Sequence, residues 1–168
     1  MYKQLTFKPE VLSMRLFNPT TPRQADAGLT MLRAVTGTIF AAHGAQKLFV
    51  YGFDGVAGGF AQMGVPFASV MGPFVGFVEL FGGLALIAGL LTRLAGVGLT
   101  AVMLGAIFMV HLPAGFFLPN GYEFVLMLAA SATTLAITGA GRYSVDALLA
   151  RRQQPVELPV REPLRRAA

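Results

Sequence analysis

Across 168 residues, 55% of the side chains are hydrophobic, only 12% are charged, and the mean hydropathy is +0.64. A water-soluble domain carries about 25% charged residues, so the composition excludes an ordinary soluble fold and places the chain in a bilayer. There is no cysteine, which excludes a disulfide framework and any thiol chemistry by the chain itself.

The opening stretch MYKQLTFKPEVLSMRLFNPTTPRQ is interrupted by Pro9, Glu10, Arg15 and Pro19, so it lacks the apolar run of a cleavable signal. Residues 1–26 are expected to form a cytoplasmic segment. A helix crosses about 30 Å of hydrocarbon with roughly 20 mainly apolar residues, and four such runs follow: about Ala27 to Val50, Phe67 to Leu91, Leu94 to Leu112 and Tyr122 to Thr138. They predict an all-α membrane protein, a four-transmembrane-helix bundle filling residues 27–141 as one domain. Residues 142–168 are expected to be a basic cytoplasmic tail, its last 14 residues disordered or resting on anionic headgroups.

Orientation follows from the basic residues. Lys3, Lys8, Arg15 and Arg23 precede the first span, Arg93 sits between the second and third, and Arg142, Arg151, Arg152, Arg161, Arg165 and Arg166 follow the fourth. Loops 51–66 and 113–121 contain no Lys or Arg. The positive-inside rule therefore puts both termini in the cytoplasm. The same bias accounts for the net charge of +5, so no nucleic-acid partner is implied.

Glycines recur at seven residues in the pairs 37 and 44, 76 and 83, 82 and 89, and 98 and 105. Each pair lies near one helix face, where backbones can approach closely. The GVAGG run at 55–59 follows a helix end rather than a strand and does not read as a nucleotide loop.

Six ionisable side chains fall within or at the ends of the spans. With a rise of about 1.5 Å per residue, Arg33 lies roughly 9 Å in from the cytoplasmic end of the first span and Glu79 about midway along the second; they are expected to pair. His43, roughly 10 Å below the outer end of the first span, Lys47 one turn above it, His111 ending the third span and Glu123 opening the fourth converge on the outer half. Charges at such depths cost roughly 2.5 to 3.5 kcal/mol each on insertion scales and normally face the bundle interior. Each also has a bland reading: Lys47 snorkelling to headgroups, Glu123 as a helix N-terminal dipole partner, each histidine as an interhelical hydrogen-bonder. Taken together they suggest a shared polar pocket, with His43 and Glu123 lining it and Lys47 and His111 at its rim.

Haem ligation by the two histidines requires matched depths, which they lack, and the metal-capable set His43, His111 and Glu123 has no tight spacing; neither group is expected. A quinone headgroup asks for hydrogen-bond donors, a proton-relaying group and apolar walls, which these residues supply with Phe40, Phe49, Phe53, Phe116 and Phe117.

The order Arg33, then HGAQKLF (His43 to Phe49), ELFGGLALIAGLLTR (Glu79 to Arg93), GYEF (Gly121 to Phe124) and GAGRYSVDALL (Gly139 to Leu149) resembles the DoxX family of small four-helix membrane proteins over about Leu32 to Leu149. The resemblance implies a quinone-linked role, since the family includes membrane subunits of thiosulfate:quinone oxidoreductases. It also includes many uncharacterised members and is distantly related to eukaryotic cargo receptors. One departure is Ala140, where the family usually has proline between the two glycines. The reading is thus the membrane subunit of a quinone-linked redox system, partnered by the bilayer, a soluble redox subunit and further copies of itself. Its alternative is a non-catalytic scaffold or small-molecule carrier whose buried charges fix helix register.

Overall fold

A computed structural model describes residues 19–152; the expectations for the first 18 residues and for the tail beyond Arg152 lie outside them. Helix α1 (Pro22–Ala45) starts where Thr21 closes a capping box with Gln24 and Pro22 takes the first helical position. It continues as a π-helical stretch, Gln46–Tyr51, into α2 (Gly52–Gln62). Then come α3 (Ala68–Ala88), α4 (Thr92–Ala106, prolonged by wider turns over Ile107–His111 and a tight one over Leu112–Ala114), α5 (Glu123–Thr138) and α6 (Val145–Arg152). Among the described residues there is no strand.

Two helices are long and apolar enough to cross a membrane, Ala68–Ala88 with mean hydropathy 1.9 and Thr92–Ala114 with 2.0. α5 is apolar but only 16 residues long, and α1 carries Arg23, Asp26 and Arg33. The outward faces are mainly apolar: Met31, Phe81, Leu94, Met127 and Ile137 are each at least 60% exposed, and the exposed hydroxyls of Thr38 and Thr134 are satisfied by carbonyls of their own helices. So continuous a surface would aggregate in water and suits lipid.

Residues 51–66, expected as a loop, contain α2. Phe53, Val56 and Phe60 recur at helical spacing in spite of four glycines, and Val56 is buried against Gly72 of α3. Packing of an apolar face outweighs the poor intrinsic propensity of GVAGG.

The four long helices form an antiparallel ring in which α1 packs chiefly on α3, α3 on α4 and α4 on α5, with a sparser contact between α5 and α1. The glycine pattern sets the closest seams. A Cβ on Gly37 would lie 2.6 Å from the Gly83 carbonyl oxygen, and one on Gly44 or Gly83 would run into the backbone of the opposite helix. Gly96 sits equally close to Ala132 and Ala136 of α5. Gly98 and Gly105 behave otherwise: Gly98 has ordinary clearance from Val78, and a Cβ on Gly105 would meet nothing within 4 Å.

At the end where α1 begins and α5 finishes, called the terminal end below, the core is solid, with Leu86, Leu99, Ala132 and Leu135 fully buried. The segment after α5, expected as part of a tail, is bound to this end. Asp146 accepts from the amides of Leu91 and Thr92 at 2.8 and 3.0 Å and so caps α4, while its own amide donates to the Gly89 carbonyl. Asp26 accepts from the Arg142 amide at 2.9 Å. Ala140 is buried between Gly139 and Gly141, both at positive φ, so the turn forms without proline.

Candidate functional site

Toward the opposite, distal end the bundle is hollow. A cavity of about 530 Å³ lies among α1, α3, α4 and α5, with Phe60 and Met63 reaching in from the α2 side. Its cause is in the sequence of α4: Gly98, Ala101, Val102, Gly105 and Ala106 present small side chains to it, and α3 answers with Val75 and Val78. The apolar walls are completed by Phe40, Phe74, Phe124, Val125 and Leu128 and by four methionines, 63, 71, 103 and 109. At this size it falls within the range of small-molecule pockets, roughly 300 to 1,000 Å³.

Four ionisable side chains line it: His43, Lys47, Glu79 and His111. Lys47 Nζ lies 2.5 Å from Glu79 Oε2, and the Glu79 side chain is 5% exposed. The expected pair of Arg33 with Glu79 does not form; Lys47, expected at the pocket rim or reaching to headgroups, takes Glu79 as its partner in the cavity wall. The reason is the direction of helical side chains, which lean toward their own N-terminus. In the antiparallel α1–α3 pair, Gly37 is level with Gly83 and Ile87, and Gly44 with Gly76 and Leu80. Glu79 thus lies between Arg33 and Lys47 in depth. Lys47 leans toward it and Glu79 leans toward Lys47, whereas Arg33 leans away. Arg33 is instead buried at the terminal end, where one guanidinium nitrogen donates to the Tyr143 carbonyl and another fills the notch left by Gly89.

His43 stands on the cavity wall with its ring 6.5 Å from that of Phe124. His111 is held at the distal end by a 2.9 Å hydrogen bond between Nδ1 and the Asn120 carbonyl. A carbonyl can only accept, so Nδ1 carries a proton. Glu123, expected to line the pocket, does not: Oε1 accepts from the Leu118 amide at 2.8 Å and braces the 115–122 loop. That loop is tight, with Gly121 pressed against Phe116 and Phe117. Of the aromatic walls expected, only Phe40 lines the cavity; Phe49, Phe53, Phe116 and Phe117 do not.

Sequence reasoning missed Asp146 as the cap that locks the post-α5 segment to α4, although it stands within the GAGRYSVDALL run. It also missed the methionines and the role of Gly98 and Gly105. Their seven-residue spacing matches that of the packing glycines, so spacing could not separate a seam from a void. Among the described residues no group of three His, Cys, Asp or Glu side chains is placed to hold a metal ion.

A family model described as DoxX matches residues 28–112. The chain also aligns with a Bacillus subtilis protein named "Putative oxidoreductase CatD", 34% identical over 72% of this chain and 86% of that one. The chain belongs to the DoxX family. A second relative of this DoxX protein, "Uncharacterized membrane protein Rv3486" of Mycobacterium tuberculosis, is 33% identical over 80% of this chain and 91% of its own length. A third, from Haemophilus influenzae, is 31% identical over 70% and 87% respectively. No solved structure matches the chain. The family match ends at Leu112, so it spans α1 to α4 and with them His43, Lys47, Glu79 and His111.

Proposed function

We propose that this DoxX protein crosses the bacterial inner membrane four times with both termini in the cytoplasm, and that it is the membrane subunit of a quinone-linked oxidoreductase whose cavity takes a quinone headgroup. The observation that carries the reading is the gathering of His43, Lys47, Glu79 and His111 in one otherwise apolar cavity. A quinone carbonyl needs a hydrogen-bond donor, and reduction to the quinol needs protons delivered to both oxygens. Lys47 donates, Glu79 and the histidines can hold and pass protons, and the apolar walls suit the ring. The B. subtilis relative's name, an oxidoreductase, lends support. The topology rests on the eleven basic residues flanking the spans on one side against none in the two opposite loops. With no cysteine in the chain, any sulfur chemistry belongs to a soluble partner subunit.

One observation favours the scaffold reading: Lys47 and Glu79 satisfy each other without a ligand and tie α1 to α3. Purification in mild detergent, organic extraction and a visible spectrum separate the two. Quinone recovered in stoichiometric amount supports the redox reading, and an empty extract from a folded sample supports the scaffold.

A further inference from the structure

The cavity is not sealed from the bilayer side. Met71 and Phe74 of α3 and Ala101 and Met109 on α4 and its continuation line it and are each exposed, as are His43 and Phe124 on the α1–α5 side; of these two borders, the slot between α3 and α4 has apolar exposed lining alone. α3 and α4 are tight at the terminal end, where a Cβ on Gly82 would touch the Leu99 side chain at 3.0 Å, and they part beyond it. Gly98 and Gly105 lie along the part of α4 that borders this opening. Neither is needed for helix contact, since an added Cβ would stand 3.7 Å from its nearest neighbour at Gly98 and meet nothing within 4 Å at Gly105. Glycine is a poor helix former, and its presence here without a packing reason keeps volume free. The polar groups are distributed unequally: Lys47 pairs with Glu79, His43 stands on the wall beside Phe124 and His111 at the distal end, whereas the exposed lining at the border of α3 and α4 is Met71, Phe74, Ala101 and Met109.

We infer that Gly98 and Gly105 keep open a sideways entry between α3 and α4, through which a ligand with a long hydrocarbon chain passes from the bilayer, its head at Lys47 and Glu79 and its chain lying in the slot. This rests on the cavity being the quinone site proposed above. It adds that the ligand is recognised by its chain as well as its head, and that α4 sets how bulky a chain is admitted. A ligand drawn from the membrane is already concentrated and partly oriented there, and the chain gains contacts in the slot that a tailless ring cannot make.

The test uses the full-length protein in mild detergent with two probes, a decyl-substituted benzoquinone and the same ring without a chain, and reads binding as a rise in unfolding temperature over a concentration series. Wild type is expected to bind the decyl probe at least tenfold more tightly than the tailless ring. Gly105→Leu is expected to fold at least as well as wild type and to lose affinity for the decyl probe by a much larger factor than for the tailless ring, so that most of the decyl preference disappears. Gly98→Leu provides the same measurement should Gly105→Leu fold poorly. Equal affinity of wild type for the two probes, or a decyl preference unchanged in both variants, overturns the slot and leaves the headgroup site standing. Response of wild type to neither probe overturns the quinone site itself, and the slot as a quinone's falls with it.

Discussion

Lys47 and Glu79 pair between the continuation of α1 and α3, with Nζ and Oε2 2.5 Å apart, in a cavity lined otherwise by apolar side chains and two histidines. Glu79 is buried and Lys47 about four-fifths so. Removing one partner leaves an uncompensated charge, which costs about 3 to 5 kcal/mol in buried pairs of soluble proteins, while replacing both by apolar groups is far milder. Lys47→Met and Glu79→Leu are each expected to lower unfolding temperature sharply and the double variant to recover most of the loss, measured as a double-mutant cycle. Strictly additive losses would show that the two do not interact.

The same cycle applied to Arg33 and Glu79 is expected to give no coupling, because Arg33 is bound at the terminal end to the Tyr143 carbonyl. Arg33→Leu should instead couple with changes in the segment it holds. A coupling above about 0.5 kcal/mol between Arg33 and Glu79, beyond the usual scatter of independent sites, would contradict the geometry.

Gly89→Ala is expected to be among the most damaging single changes in the chain. Gly89 ends α3 at φ +68°, where a Cβ is strained, and that Cβ would occupy the place of the Arg33 guanidinium. Gly105→Ala, in open space, is expected to raise stability by about 0.5 to 1 kcal/mol through helix propensity alone. Side-by-side thermal melts check the contrast, and equal effects would refute it.

His43→Ala is expected to reduce quinone retention far more than folded yield, since a lost hydrogen bond to a ligand costs about 1 kcal/mol or more and His43 makes no hydrogen bond within the described chain. His111→Ala should instead loosen the 115–122 loop, seen as faster proteolysis there, because it deletes the tether to Asn120. Parallel loss of yield and of quinone in His43→Ala would assign His43 a structural role.

Cysteines introduced at Gly55 in α2 and at Leu149 in α6 test the proposed orientation in intact spheroplasts. An impermeant maleimide should label Gly55→Cys and spare Leu149→Cys until the cells are opened. The reverse pattern would invert the topology.

Composition and hydropathy placed this chain in a bilayer and marked its four long helices, because burial in lipid requires apolar side chains whatever their neighbours are. The seven-residue glycine pairs marked helix faces where backbones can approach closely, and the structure shows that those at 37 and 44 and at 76 and 83 form the α1–α3 seam whereas the pair at 98 and 105 does not. The partner of Glu79 was a different kind of question. Arg33 on α1 and Lys47 on its π-helical continuation are both cationic, and depth counted along separate helices does not tell which one reaches Glu79. Their relative register and the lean of each side chain toward its own N-terminus decide it in favour of Lys47. The placement of Glu123 likewise depends on a turn, since only the path of the 115–122 loop brings the Leu118 amide to its carboxylate and takes it out of the cavity. The cavity itself came from tertiary structure, because Gly98 and Gly105 become a void only where α3 and α4 part.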